Sequence, residues 1–140
     1  MKSVIVASGD LEYSQKTKDI IAASELIICA DGGAAHLQAM GITPHVIMGD
    51  FDSIKADDKD FFQKKKVKTI GFPAKKNHTD SELCVNWAVE NGATDITLIA
   101  ATGSRIDHTL ANIFLLKKLA QKKIPARIIN PKNEIHAVLD

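Results

Sequence analysis

The sequence predicts a three-layer α/β domain: a mostly parallel sheet of about six strands with helices on both faces. Three observations predict it. Short apolar, β-branched runs alternate with longer segments of helical period, the pattern of successive βαβ units. Most of the strand runs are continuously apolar rather than strictly alternating, as expected of strands covered on both faces. The 140 residues, 45% of them apolar and 25% charged, suffice for one sizeable core.

The elements follow in order. Val4–Ala7 reads as the first strand and Ser14–Ala23 as the helix that returns the chain. Leu26–Ala30 is the second strand. The helix Gly33–Met40 follows it, with Gly41 as its C-cap and Pro44 preventing helix from resuming. Val46–Met48 is the third strand and Asp57–Lys65 the third helix; Val67–Ile70 is the fourth strand. Thr79 or Asp80 can cap the next helix, Asp80–Asn91, which has Glu82 in its first turn and Asn91-Gly92 at its end. Ile96–Ala100 and Arg127–Ile129 complete the strands, joined by a helix over Asp107–Lys122 that Asp107 is placed to cap. Trp87 and Phe114 sit at helical spacing among apolar residues and read as core. After the turn Asn130-Pro131-Lys132-Asn133, Ile135–Leu139 begins another strand. Residues 1–130 thus read as one domain and 131–140 as the start of a further β domain, with a short edge strand as the plainer alternative.

Composition narrows the function classes. Eighteen basic against seventeen acidic side chains leave a net charge of +1, so no general polyanion-binding surface is implied and no nucleic-acid partner is expected. The run Lys64-Lys65-Lys66 reads as a solvated helix end; phosphate attraction by Lys75 or Lys76 is the sharper alternative. The two cysteines, Cys29 and Cys84, lie in apolar patterns and read as buried free thiols, which suits a reducing cytoplasm. The apolar run Val4–Ala7 is too short for a signal-peptide core or a membrane span, so a cytoplasmic protein without a membrane partner is expected.

Chemistry concentrates where the strands end, and in an open parallel sheet ligands bind at those carboxyl ends. Gly49-Asp50-Phe51-Asp52-Ser53 is the most informative segment. Two carboxylates two residues apart at a strand end can point the same way. They repel unless a cation such as Mg²⁺, which favours a few carboxylates plus phosphate oxygens, lies between them. An Asx-turn with a helix cap is the bland account. Four further clusters share that edge. Ser8-Gly9-Asp10 has a glycine that permits a tight turn or close phosphate approach. Ala30-Asp31-Gly32-Gly33-Ala34 lets backbone pass near a phosphate at a helix N-terminus, and Asp31 could hold a metal-bound water or a ribose hydroxyl. Asn77-His78-Thr79-Asp80-Ser81-Glu82 opens a helix. In Thr102-Gly103-Ser104-Arg105-Ile106-Asp107-His108, Arg105 offers a fork for phosphate oxygens and Asp107 a further carboxylate. Each cluster alone could be a cap or turn. Together they describe a nucleotide-phosphate site with Mg²⁺. No G-x-x-x-x-G-K-[ST] is present, and the first strand does not lead into G-x-G-x-x-G, so the fold is Rossmann-like without the usual dinucleotide or P-loop signature. His78 and His108 fall inside these motifs; His36, His45 and His136 read as structural or exposed.

With these residues in view, the chain resembles the N-terminal catalytic domain of thiamine pyrophosphokinase. The resemblance rests on ADGGA at 30–34, GDFDS at 49–53, HTDSE at 78–82 and GSRIDHTLAN at 103–112, in that order, over nearly the whole chain. It implies transfer of a pyrophosphoryl group from ATP to the thiamine hydroxyl, giving thiamine diphosphate and AMP, with Mg²⁺ required. It implies that Asp50, Asp52 and Asp80 hold the metal, with Asp31 and Asp107 completing the acidic site. Gly32, Gly33, Ser53, Thr79, Arg105 and His108 would then face the nucleotide, and Arg105 and Thr79 its phosphates. Asn77 departs from the acidic residue often found after the lysine of that motif. Family members continue into a β-sandwich that supplies much of the thiamine pocket and of the homodimer contacts, so this chain is expected to be a truncated form. A pyrophosphokinase acting on another alcohol, such as a hydroxymethyl-pterin, and a non-catalytic nucleotide-binding fragment are the alternatives.

Overall fold

The computed structural model describes residues 1–30, 32–49, 65–72 and 79–138. Within them, seven strands and four helices alternate in chain order: β1 Lys2–Val6, α1 Gln15–Ala22, β2 Leu26–Ala30, α2 Gly33–Met40, β3 Val46–Gly49, β4 Lys68–Gly71, α3 Asp80–Glu90, β5 Asp95–Ile99, α4 Ile106–Gln121, β6 Ala126–Ile129 and β7 Glu134–His136. The expected α/β class is what forms. The expected helix at Asp57–Lys65 falls almost wholly outside the described residues.

The strands make one sheet in the order β4-β3-β2-β1-β5-β6-β7. All neighbours pair in parallel except β6 and β7, which are antiparallel with Ile128 opposite Ile135. The seventh strand corrects the count of about six. Residues 134–136 form a short antiparallel edge strand of this same sheet, shorter than the run Ile135–Leu139 promised. The turn before it is closed by Asn130, whose side-chain oxygen accepts from the Lys132 and Asn133 N–H groups at 3.0 and 2.7 Å.

Alternation along each strand sends side chains to two cores. Ile5, Ile28, Met48, Leu98 and Ile128 face α3 and α4, meeting Cys84, Val85, Leu116 and Leu119. Val4, Val6, Ile27, Cys29 and Ile47 face the other layer, with Ile21 of α1 and Leu37 of α2. Cys29 and Cys84 are buried in opposite cores and form no disulfide, as expected. The helix ends follow local chemistry. Ser14 caps α1 through Thr17 N, and Gly41 ends α2 in the left-handed region at φ 69°.

Two expectations about α4 fail. Asp107 does not cap it. Arg105 occupies the cap position without a side-chain cap bond, and Asp107 lies in the first turn. Phe114 is 66% exposed, beside Ile106 and Leu110 on one outward face. Leu115, Leu116 and Leu119 already fill the inward face, so Phe114 has no room in the core. Trp87, by contrast, packs partly buried against the core, with the Lys68 ammonium 5.7 Å from its ring centre.

Candidate active site

The strand order reverses between β1 and β5, because α3 carries the chain back across β3, β2 and β1 before β5 is laid down. Such a reversal leaves a crevice beyond the strand ends, where the two outgoing loops diverge to opposite faces. Here the loops stay joined for several residues. Ala7 N donates to Ile99 O at 2.8 Å, Gly9 N to Ala100 O at 2.6 Å and Asp10 N to Thr102 O at 2.8 Å. Two features make this zipper possible. Ala100 turns in the left-handed region, φ 58°, a conformation that costs a non-glycine residue about 1 kcal/mol or more. Gly9 has no side chain, and a Cβ there would collide with the Thr102 and Ala100 carbonyl oxygens.

The space at Gly9 therefore serves the neighbouring loop. Gly32 and Gly33 behave likewise. A Cβ on Gly33 would collide with Val6 O, and one on Gly32 would lie 2.8 Å from the Ser8 Cβ. The glycine pair seats the start of α2 against the end of β1, and neither residue lines the cavity described below.

From the other layer, α4 holds the β5 loop. Buried Asn112 donates from Nδ2 to Ala101 O at 2.8 Å, and Thr109 Oγ1 accepts from Gly103 N at 3.1 Å. One helical turn apart on the same face, these two side chains fix the loop that presents Arg105. Arg105 grips Asp107 through Nε at 3.1 Å and Nη2 at 2.8 Å. That bond holds the Asp107 carboxyl well below its usual range, at about 2, and the carboxylate in turn raises Arg105. Two of the five guanidinium donors are committed, leaving the rest of the fork for an anion. Both side chains are more than 60% exposed, so salt screens the pair.

At the start of α3, Thr79 is the N-cap. Its Oγ1 accepts from Glu82 N at 3.1 Å, which leaves the hydroxyl proton free to donate outward. Asp80 follows in the first turn.

These parts enclose a cavity of about 630 Å³. Its lining includes Asp10, Thr79, Asp80, Arg105 and His108, so four of the residues expected to act together do share one space. Asp107 points to Arg105 and is not among them. Asp31, Asp50, Asp52, Ser53 and His78 lie outside the described residues. Two helix N-termini, those of α3 and α4, open on the cavity and favour a bound anion. Beside the His108 imidazole, the cavity offers the carboxylates of Asp10 and Asp80 among serine and threonine hydroxyls, oxygen donors that fit a hard cation such as Mg²⁺. Among the described residues no group of three or more His, Cys, Asp or Glu could hold a metal. The described part therefore supplies at most a portion of a coordination shell. Asp10, not given a role from the sequence, joins the site because its loop is zipped to that of β5.

Residues 17–128 match the family model described as thiamin pyrophosphokinase, catalytic domain. The chain belongs to the thiamin pyrophosphokinase catalytic-domain family. Thiamine pyrophosphokinase from Bacillus subtilis is 34% identical over 136 residues, which cover 96% of this chain and 64% of that protein. The crystal structure of thiamine pyrophosphokinase from the same organism superposes with a TM-score of 0.81 at 31% identity, covering 97% of this chain and 63% of that one. A thiamin pyrophosphokinase family protein from Enterococcus faecalis superposes at 0.79 with 28% identity, covering 97% and 64%. The chain thus spans under two thirds of the length of these relatives. Likeness in fold extends to yeast thiamin pyrophosphokinase, with a TM-score of 0.83 at 18% identity over 96% of this chain and 60% of that one. Among the described residues no helix is long and apolar enough to cross a membrane.

Proposed function

We propose that the chain provides the nucleotide and metal half of a cytoplasmic, homodimeric thiamine pyrophosphokinase. The reaction would give thiamine diphosphate and AMP from ATP and thiamine. The observation that carries this reading is the single cavity joining Thr79 and Asp80 to Arg105 and His108, within a chain whose family membership spans residues 17–128. The relatives' names favour thiamine as acceptor over another alcohol.

In this reading the thiamine hydroxyl oxygen bonds to the β-phosphorus of ATP, the bridging oxygen departs with AMP, and the hydroxyl proton is given up. Asp80, with Asp50 and Asp52, would hold Mg²⁺; Asp31 and Ser53 would lie near the nucleotide. Bound there, Mg²⁺ supplies neutralisation of charge on the β-phosphate and the leaving AMP. The Thr79 hydroxyl donates to a phosphate oxygen while its lone pair keeps the helix cap. Arg105 meets a second oxygen through the donors that Asp107 leaves open. His108, in the first turn of α4, offers an imidazole to the same side.

The test is calorimetric titration of ATP, with Mg²⁺ and with chelator, followed by AMP release with and without thiamine. Mg²⁺-dependent binding that Asp80→Asn weakens by about tenfold or more is the expected result. ATP affinity equal in Asp80→Asn and wild type, or equal with and without Mg²⁺, refutes the metal assignment.

A further inference from the structure

The Gly9–Asp10 peptide is held at both ends. Its carbonyl meets His36 Nε2 at 2.8 Å, and its N–H donates to Thr102 O at 2.8 Å. In a trans peptide these two groups point in opposite directions. One rigid plane therefore spans the crevice from α2, which carries His36, to the loop after β5. A carbonyl only accepts, so Nε2 carries the proton. The other ring nitrogen, Nδ1, then presents its lone pair to the Tyr13 hydroxyl 2.7 Å away. Tyr13 thus selects the tautomer that His36 needs, and its ring stands edge-on to the imidazole at 5.6 Å between centres. His36 is not among the residues lining the cavity, whereas Gly9 and Asp10 are.

We propose that His36, oriented by Tyr13, is a positioning residue for the nucleotide site. Its donor fixes the Gly9–Asp10 peptide plane and through it the wall that carries Asp10. This rests on the nucleotide-site reading above. His36 touches neither the substrate nor the reacting atoms, so its loss should weaken nucleotide binding while leaving the chemical step unaltered.

The decisive pair is His36→Gln and His36→Met. Both are unbranched and of similar length, but only glutamine places an amide N–H near the position of Nε2. Two readouts are taken: Mg·ATP affinity by calorimetry, and amide hydrogen exchange at Asp10. For His36→Met we expect affinity about fivefold weaker and faster Asp10 exchange, as loss of one hydrogen bond implies. For His36→Gln both should stay within about twofold of wild type. Tyr13→Phe should fall between them. Where turnover is measurable, KM for ATP should rise with kcat unchanged. Equal behaviour of the Gln and Met variants, whether both normal or both impaired, overturns the proposal, because the donor would then be irrelevant. Absence of Mg·ATP binding in the wild type refutes the nucleotide-site reading instead; Asp10 exchange would still decide the role of His36.

Discussion

Gly9→Ala tests the central feature of the site, the zipper between the β1 and β5 loops. A Cβ at this position would lie 2.5 Å from Ala100 O and closer still to Thr102 O, both main-chain atoms that cannot swing aside. Ordinary contact begins at 3.4 Å, so the loops must part by roughly 1 Å. Such a separation breaks the Gly9–Ala100 and Asp10–Thr102 hydrogen bonds, now 2.6 and 2.8 Å. At about 1 kcal/mol each, with some strain remaining, the loss is about 2–3 kcal/mol. For a chain of 140 residues this lowers the thermal midpoint by roughly 5–10 °C. Gly103→Ala is the control, since its Cβ would meet Asp10 N at an unstrained 3.5 Å. The assay is thermal unfolding by circular dichroism, paired with Mg·ATP titration. Gly9→Ala should fall well below Gly103→Ala in both stability and affinity. If the two variants unfold together and bind equally, the zipper does not shape the site.

Other consequences are separable. Asn112→Ala removes the donor to Ala101 O and should cost about 1–3 kcal/mol in urea unfolding, because a buried carbonyl is left without its partner. Thr79→Val should cost about 1 kcal/mol through loss of the α3 cap, while Thr79→Ser keeps it; thermal midpoints distinguish them. The Asp107 carboxyl should titrate by NMR at about 2, and Arg105→Gln should return it towards 3.8. Its folded value is depressed, so the stability it contributes is present above the unfolded value and is lost as pH falls through about 2. Phe114→Ser should change unfolding free energy by less than about 0.5 kcal/mol, since that side chain is 66% exposed.

The sheet was legible because burial on both faces leaves a local mark: Val4–Val6 and Ile27–Ala30 are continuous apolar runs, Ile96–Ile99 is broken only by Thr97, and those segments are buried in β1, β2 and β5. Helix ends at Gly41 and Thr79 were legible for the same local reason, a cap being made with residues three or four away. What failed was non-local. In α4, apolar residues occupy nearly every direction, so periodicity alone could not tell Phe114 from Leu115. Gly9 and Gly33 read as room for a phosphate, since nothing in the sequence shows that Thr102 O and Val6 O occupy that room. His36 gave no signal, because its partners Gly9 and Tyr13 lie 27 and 23 residues away.

Wall and chemistry have different origins in this site. The wall between β1 and β5 is main chain bound to main chain, and its shape depends on one absent side chain, at Gly9, together with one strained turn at Ala100. Apart from Asp10, which the wall itself carries, the groups suited to phosphate and metal stand at the starts of α3 and α4, where the helix ends already favour an anion. Substitutions should divide along the same line. Those in the wall should shift stability and affinity together, because the loops move as a unit. Those at Arg105 should remove affinity with little change in stability, since its side chain is 68% exposed and can lose its ligand without leaving a buried charge.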